Sequence, residues 1–193
     1  MAAGTVARAV APPGRRRAGG LILGGPDVPD VFFPTHLFIA VLIGRARFPT
    51  VWVVFGAALP DLVDKPLAMA GVVQTYHTVV HSALFGAVFA VALLLAWSTE
   101  RGPSVGVVVA TLVGWGSHLG ADALHITLNG RPENTVFLIW PVVETWDSID
   151  AGPGPFILQY AGTTSFYLEV VIWVCGGYLL LRDGPAGGVL GRS

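Results

Sequence analysis

Apolar residues gather into five runs along the chain: Val31 to Gly44, Phe48 to Asp64, Val79 to Trp97, Ser104 to Leu124 and Ser165 to Leu181. The last three each approach the roughly 20 residues that an α-helix needs to cross a bilayer, and the first two are short for full spans. This pattern predicts an all-α fold, a polytopic membrane helical bundle of about four to five membrane helices with the first two short. The predicted membrane helical domain covers 32–182. It is flanked by a disordered Gly/Pro/Arg-rich N-terminal extension over 1–31 and a flexible C-terminal tail over 183–193, both poor in apolar runs. "RRRAGGLILGG" in the extension has the look of a twin-arginine signal, but its apolar part is short and glycine-broken. A cytoplasmic tail or an early start is the expectation there.

Composition agrees with the runs. Hydrophobic residues make up 53% of the 193 and charged residues 12%, against about 25% charged in soluble domains. Mean hydropathy is +0.68. A net charge of -1 supplies no concentrated basic surface, so nucleic acid is not an expected partner; membrane lipids are. The single cysteine, Cys175, builds neither an intrachain disulfide nor a thiolate metal site.

The polar residues that interrupt the runs change the picture more. Ionisable groups inside hydrocarbon cost several kcal/mol and mark a functional site by default. All five histidines, His36, His77, His81, His118 and His125, lie in or beside the runs. If the chain crosses or dips and returns at each run, His36 stands at the start of the first and Asp61 and Asp64 at the end of the second. His77 and His81 open the third, and His118, Asp122 and His125 close the fourth. All then fall on one side of the membrane. Helical spacing puts His118, Asp122 and His125 on one stripe and His77 with His81 on another. Pro60, before Asp61, is expected to bend or end its helix and free carbonyls for a polar pocket. Glu169 starts from the same side and is expected to snorkel to the headgroups.

Imidazole nitrogen mixed with carboxylate oxygen suits Zn, Mn or Fe. More ligands stand together than the four of a closed structural site, which leaves room for an open position or for two ions sharing a carboxylate. The loop from Asn129 to Phe156 lies on the same side. Its "VFLIWPVV" is too short to span and is expected at the interface, with Trp140 and Trp146 as anchors. Arg131 in that loop is expected to pair with Glu133 or lipid rather than with a substrate phosphate.

"PTHLFIAVLIGR", "GAALPDLVDKP", "YHTVVHS", "GWGSHLGADAL" and "FLIWPV", in this order from Phe33 to Val143, together resemble a family of prokaryotic inner-membrane metal-dependent hydrolases, itself distantly compared with zinc-dependent phospholipase C. The resemblance implies that His36, Asp61, His81, His118 and Asp122 are metal ligands of one or two divalent transition ions, zinc first. The chain departs from the family pattern at Thr78, which follows His77, and at His125, where a small or hydroxyl residue is expected. The stretch before Phe33 has no counterpart.

The expected function is therefore a multi-pass protein of the inner (cytoplasmic) membrane that hydrolyses an amphiphilic or lipid-linked ester or phosphoester. Asp64, His77 and His125 are the candidates for catalytic proton transfer or for orienting the ligands. The same cluster could instead form a proton or cation relay, or a structural metal clamp without turnover. The apolar distal halves of the third and fourth runs offer a relay no continuous path. Orientation is nearly balanced: Arg8, Arg15, Arg16, Arg17, Lys65 and Arg131 lie on the site side against Arg45, Arg47, Arg101, Arg182 and Arg192 on the other.

Overall fold

A computed structural model of the chain describes residues 33–73, 75–143 and 160–183. The expected N-terminal extension, Trp146 and nearly all of the expected C-terminal tail lie outside the described residues. Within them the fold is all-helical, with no strand. Its elements are α1 (Phe33–Arg47), α2 (Thr50–Met69), α3 (Ala83–Trp97), α4 (Val105–Leu128), a 3-10 helix (Pro132–Ile139) and α5 (Thr164–Asp183). Each apolar run of the sequence becomes one α-helix. Two of them, over Val105–Leu128 and Thr164–Arg182, are long and apolar enough to cross a membrane, and Ala83–Trp97 is a shorter apolar helix.

Local chemistry sets the helix ends. Ser82 caps α3 by accepting from the Phe85 N–H at 3.0 Å, and Ser104 opens α4 in the same way. The helices that carry most of the polar cluster, α2 and α4, both close on a glycine in the left-handed region. Gly71 (φ 70°) and Gly130 (φ 76°) each leave the following residue to bond back to the third-last helical carbonyl, Val72 to Leu67 and Arg131 to Ile126.

Two expectations are corrected here. Pro60 does not end its helix, because α2 runs on through Pro60 and Pro66 to Met69. His77 and His81 do not form a helical stripe. Residues 75–82 are bends and turns, and α3 begins only after Ser82.

The core is the α2–α4 interface, with α1 packed on α2. Small residues make it tight. A Cβ on Gly56 would lie 2.0 Å from the Thr111 carbonyl oxygen, and one on Gly114 would lie 1.9 Å from that of Val53. This reciprocal contact of small residues lets the two backbones approach closely. Ala40, Val53, Ala57 and Ala110 fill the space beside it. Nearer the polar end, Leu119 and Ile126 of α4 pack on Phe137 of the 3-10 helix. By contrast, α3 buries only Gly86, and α5 is held chiefly by α1. Both expose large apolar side chains, including Val88, Val91 and Leu95 on α3 and Val171, Val174 and Leu181 on α5.

Candidate metal centre

The polar ends of α1, α2 and α4 and the 75–82 loop meet around six side chains: His36, Asp61, His77, His81, His118 and Asp122. All six are buried. Their ligand atoms form three overlapping triads, each within 4.8 Å: Asp61 with His81 and His118, His36 with His118 and Asp122, and His77 with His81 and Asp122.

At the middle, His81 Nε2 and His118 Nε2 lie 3.2 Å apart. Both rings are fixed from behind. His118 Nδ1 is 2.7 Å from the Ala57 carbonyl oxygen, which can only accept, so Nδ1 carries the proton. The packing of α2 on α4 brings that carbonyl within reach of α4. His81 Nδ1 lies 2.8 Å from Asp64 Oδ2 and donates to it. With both Nδ1 atoms protonated, each ring in its neutral form turns an Nε2 lone pair toward the other.

Carboxylates close in on the same point. Asp61 Oδ1 is 3.6 Å from His81 Nε2 and 3.8 Å from His118 Nε2; Asp122 Oδ2 is 3.7 Å and 3.2 Å from the same atoms. Two lone pairs and two carboxylate oxygens repel unless a cation or a proton sits among them. Burial works against a charged His81, but Asp61, Asp64 and Asp122 outweigh it and raise the pKa of this loop residue to about 9. The centre is therefore built to hold positive charge.

The donor set fits a metal. A tetrahedral zinc site with bonds of about 2.0–2.1 Å has donor–donor edges of about 3.3 Å, close to the spacings around the imidazole pair. Asp122 adds an independent sign. Both of its oxygens are buried with only imidazole nitrogens of the described residues beside them, His36 Nε2 at 3.0 Å from Oδ1 and His118 Nε2 at 3.2 Å from Oδ2. A carboxylate left that way is costly in a low dielectric, and a cation at its side relieves the cost.

The flanking residues have distinct places. His36 stacks on His118 (centroids 3.8 Å apart, 18° between planes) and approaches the outer oxygen of Asp122. His77 meets His81 edge-on and comes within 3.9 Å of Asp122 Oδ2. Asp64 is an organiser: besides the His81 ring it accepts the backbone N–H groups of Thr78, Val80 and His81, and so shapes the loop. Lys65 bonds the second oxygen of Asp61 at 2.6 Å.

His125 is buried but lies outside the three triads. Its Nδ1 exchanges a hydrogen bond of 2.9 Å with Ser165 Oγ, which Asn129 also contacts, and this ties α4 to the start of α5. Glu169 does not snorkel. It is buried and accepts from Thr35 Oγ1 at 3.0 Å, while Trp173 Nε1 donates to the same hydroxyl.

Three contributors carry no signal in the sequence because each depends on tertiary contact. Trp115 Nε1 donates to the Val80 carbonyl at 3.0 Å and holds the histidine loop from α4; its ring fills the space where a Cβ on Gly86 would be. The Ala57 carbonyl orients His118. Phe137 covers the centre, its ring 5.2 Å from that of His77 and 6.4 Å from that of His81. The "VFLIWPVV" segment is thus in part a lid packed on α4.

Comparison with known proteins returns no match: no family model, no curated protein and no solved structure is similar to the chain.

Proposed function

We propose that the protein is a multi-pass membrane enzyme of the inner-membrane metal-dependent hydrolase family that its motifs resemble. In this reading it uses zinc to hydrolyse an amphiphilic or lipid-linked ester or phosphoester. The observation that carries the reading is the pair of Nε2 atoms 3.2 Å apart, fixed by Asp64 and Ala57 and flanked by Asp61 and Asp122. The broad apolar exposure of α3 and α5 supports a bundle whose outer helices face lipid.

His81, His118, Asp61 and Asp122 would hold the ion, with His36 flanking Asp122 or joining as a further ligand. Such an ion, when bound, lowers the pKa of a coordinated water and polarises the ester it meets. The chain's own residues then set the conditions. Asp64 and the Ala57 carbonyl keep the lone pairs of His81 and His118 turned inward. His77, beside Asp122 and outside the central imidazole pair, is the group placed to receive or return a proton. Phe137 and the 3-10 helix keep bulk water away from the imidazoles. A centre at the helix ends lets a substrate reach it from the headgroup layer.

The test is turnover by zinc-loaded protein in detergent with a panel of chromogenic carboxylic esters, phosphomonoesters and phosphodiesters, beside His118→Ala. Hydrolysis by the wild type alone supports the reading. Bound zinc with no turnover on any class assigns the centre to a structural clamp.

A further inference from the structure

At the end of α1 and α5 away from the metal centre the two helices part. They run parallel and close where Trp173 stacks on Phe38, with centroids 4.1 Å apart, and where a Cβ on Gly176 would lie 2.6 Å from Phe38 Cε1 and from Leu42 Cδ1. Beyond Gly176 they leave a cleft of about 360 Å³, lined by Leu42, Arg45 and Ala46 of α1 and Leu179 and Leu180 of α5. Nine residues, about 13 Å of helix, separate Arg45 from His36, so the cleft is no part of the metal centre.

Its chemistry is divided. Aliphatic side chains make the walls, and one guanidinium stands at the rim. Arg45 is exposed, no acidic side chain lines the cleft, and among the described residues no carboxylate pairs with Arg45. Arg47 shares the last turn of α1, and Arg182 lies in the last turn of α5. Basic side chains at the mouth of an apolar gap between membrane helices suit an anionic headgroup. A guanidinium takes phosphate through two parallel hydrogen bonds, which sets the phosphate at Arg45 and the attached chain on the leucines. A zwitterionic lipid brings the same phosphate, but its ammonium meets cations at both helix ends; a lipid of net negative charge does not.

We infer that this cleft binds one anionic phospholipid of the surrounding bilayer, with its phosphate on Arg45 and part of one acyl chain against Leu42, Leu179 and Leu180. The lipid is a bound constituent that ties α5 to α1, the helix that chiefly holds it, and it is not a substrate. The inference rests on the membrane placement proposed above and is independent of the metal.

The experiment is native mass spectrometry of the full chain released from detergent micelles that contain equal phosphatidylglycerol and phosphatidylcholine. Wild type, Arg45→Gln, Arg47→Gln and Ala46→Phe are compared, each eluting as the wild type does. The wild type is expected to retain one phosphatidylglycerol in preference to phosphatidylcholine. Arg45→Gln should weaken that retention about tenfold or more, the worth of a charge-assisted hydrogen bond. Arg47→Gln makes the same change of charge outside the cleft and should retain the lipid as the wild type does. Ala46→Phe fills the cleft with Arg45 in place and should exclude the lipid. Equal retention of both lipids by the wild type, unchanged retention in Arg45→Gln or Ala46→Phe, or equal loss in Arg45→Gln and Arg47→Gln overturns the inference and leaves the bundle in its membrane. A dimer that Ala46→Phe separates also overturns it, because the occupant is then a second copy of the chain. Recovery of the wild type in the soluble fraction of a cell lysate overturns the membrane placement and the inference together.

Discussion

Asp64 grips His81 twice with one oxygen: Oδ2 lies 3.1 Å from the backbone nitrogen of His81 and 2.8 Å from its ring Nδ1. The same carboxylate takes the N–H groups of Thr78 and Val80, so one buried side chain fixes both the path of the loop and the tautomer of its histidine. Carboxylates that orient a ligating imidazole in this way are typically worth 10–100-fold in metal affinity.

Asp64→Asn is therefore expected to weaken zinc binding by about 10–100-fold while the protein still inserts. The amide keeps one acceptor oxygen but loses the charge that holds the Nδ1 proton. A competition titration against a chromogenic chelator reads the effect. An unchanged affinity would remove Asp64 from the centre.

Gly114 allows α4 to lie against α2, and a methyl there meets the Val53 carbonyl oxygen at 1.9 Å. Gly114→Ala forces apart the two helices that carry Asp61, His118 and Asp122. The expected cost is about 1–3 kcal/mol of stability, seen as a lower unfolding temperature in detergent, together with reduced zinc content. Gly116→Ala is the control, since a Cβ there has open space.

The 3-10 lid depends on Phe137, which is buried among Leu119, Ile126 and the rings of His77 and His81. Phe137→Ala should free the segment without removing a ligand. Amide hydrogen exchange over 134–140 is expected to rise sharply while zinc content stays at the wild-type level. Unchanged exchange would mean that the lid is held elsewhere.

Much of this was legible in the sequence, for definite reasons. Each long apolar run has the length and hydropathy expected of a helix, and each becomes one. His118 and Asp122 share a face through helical spacing alone, and the expected alternation of the runs put His36, Asp61 and His81 at one end, where the structure gathers them. What pattern could not show depends on contacts distant in the chain. The HTVVH spacing resembles a helical pair, yet Asp64 takes the N–H groups of 78, 80 and 81 and holds the segment as a loop until Ser82 starts α3. Glu169 looked like a surface acid because its partner, Thr35, lies 134 residues away. His125 shares the stripe of Asp122, but Ser165 of α5 engages it in a separate network. Pro60 leaves α2 helical because the helix is buried there on its neighbours.

The most direct test of the central claim is the metal content of freshly purified protein, measured by elemental mass spectrometry for wild type, His118→Ala and Asp122→Ala after zinc supplementation and removal of free ion. The account predicts about one to two equivalents in the wild type, lost in both variants although both insert and elute as the wild type does. A wild type without metal would contradict the account and leave the facing imidazoles to be joined by a proton alone, and metal retained in both variants would contradict the assignment of its ligands.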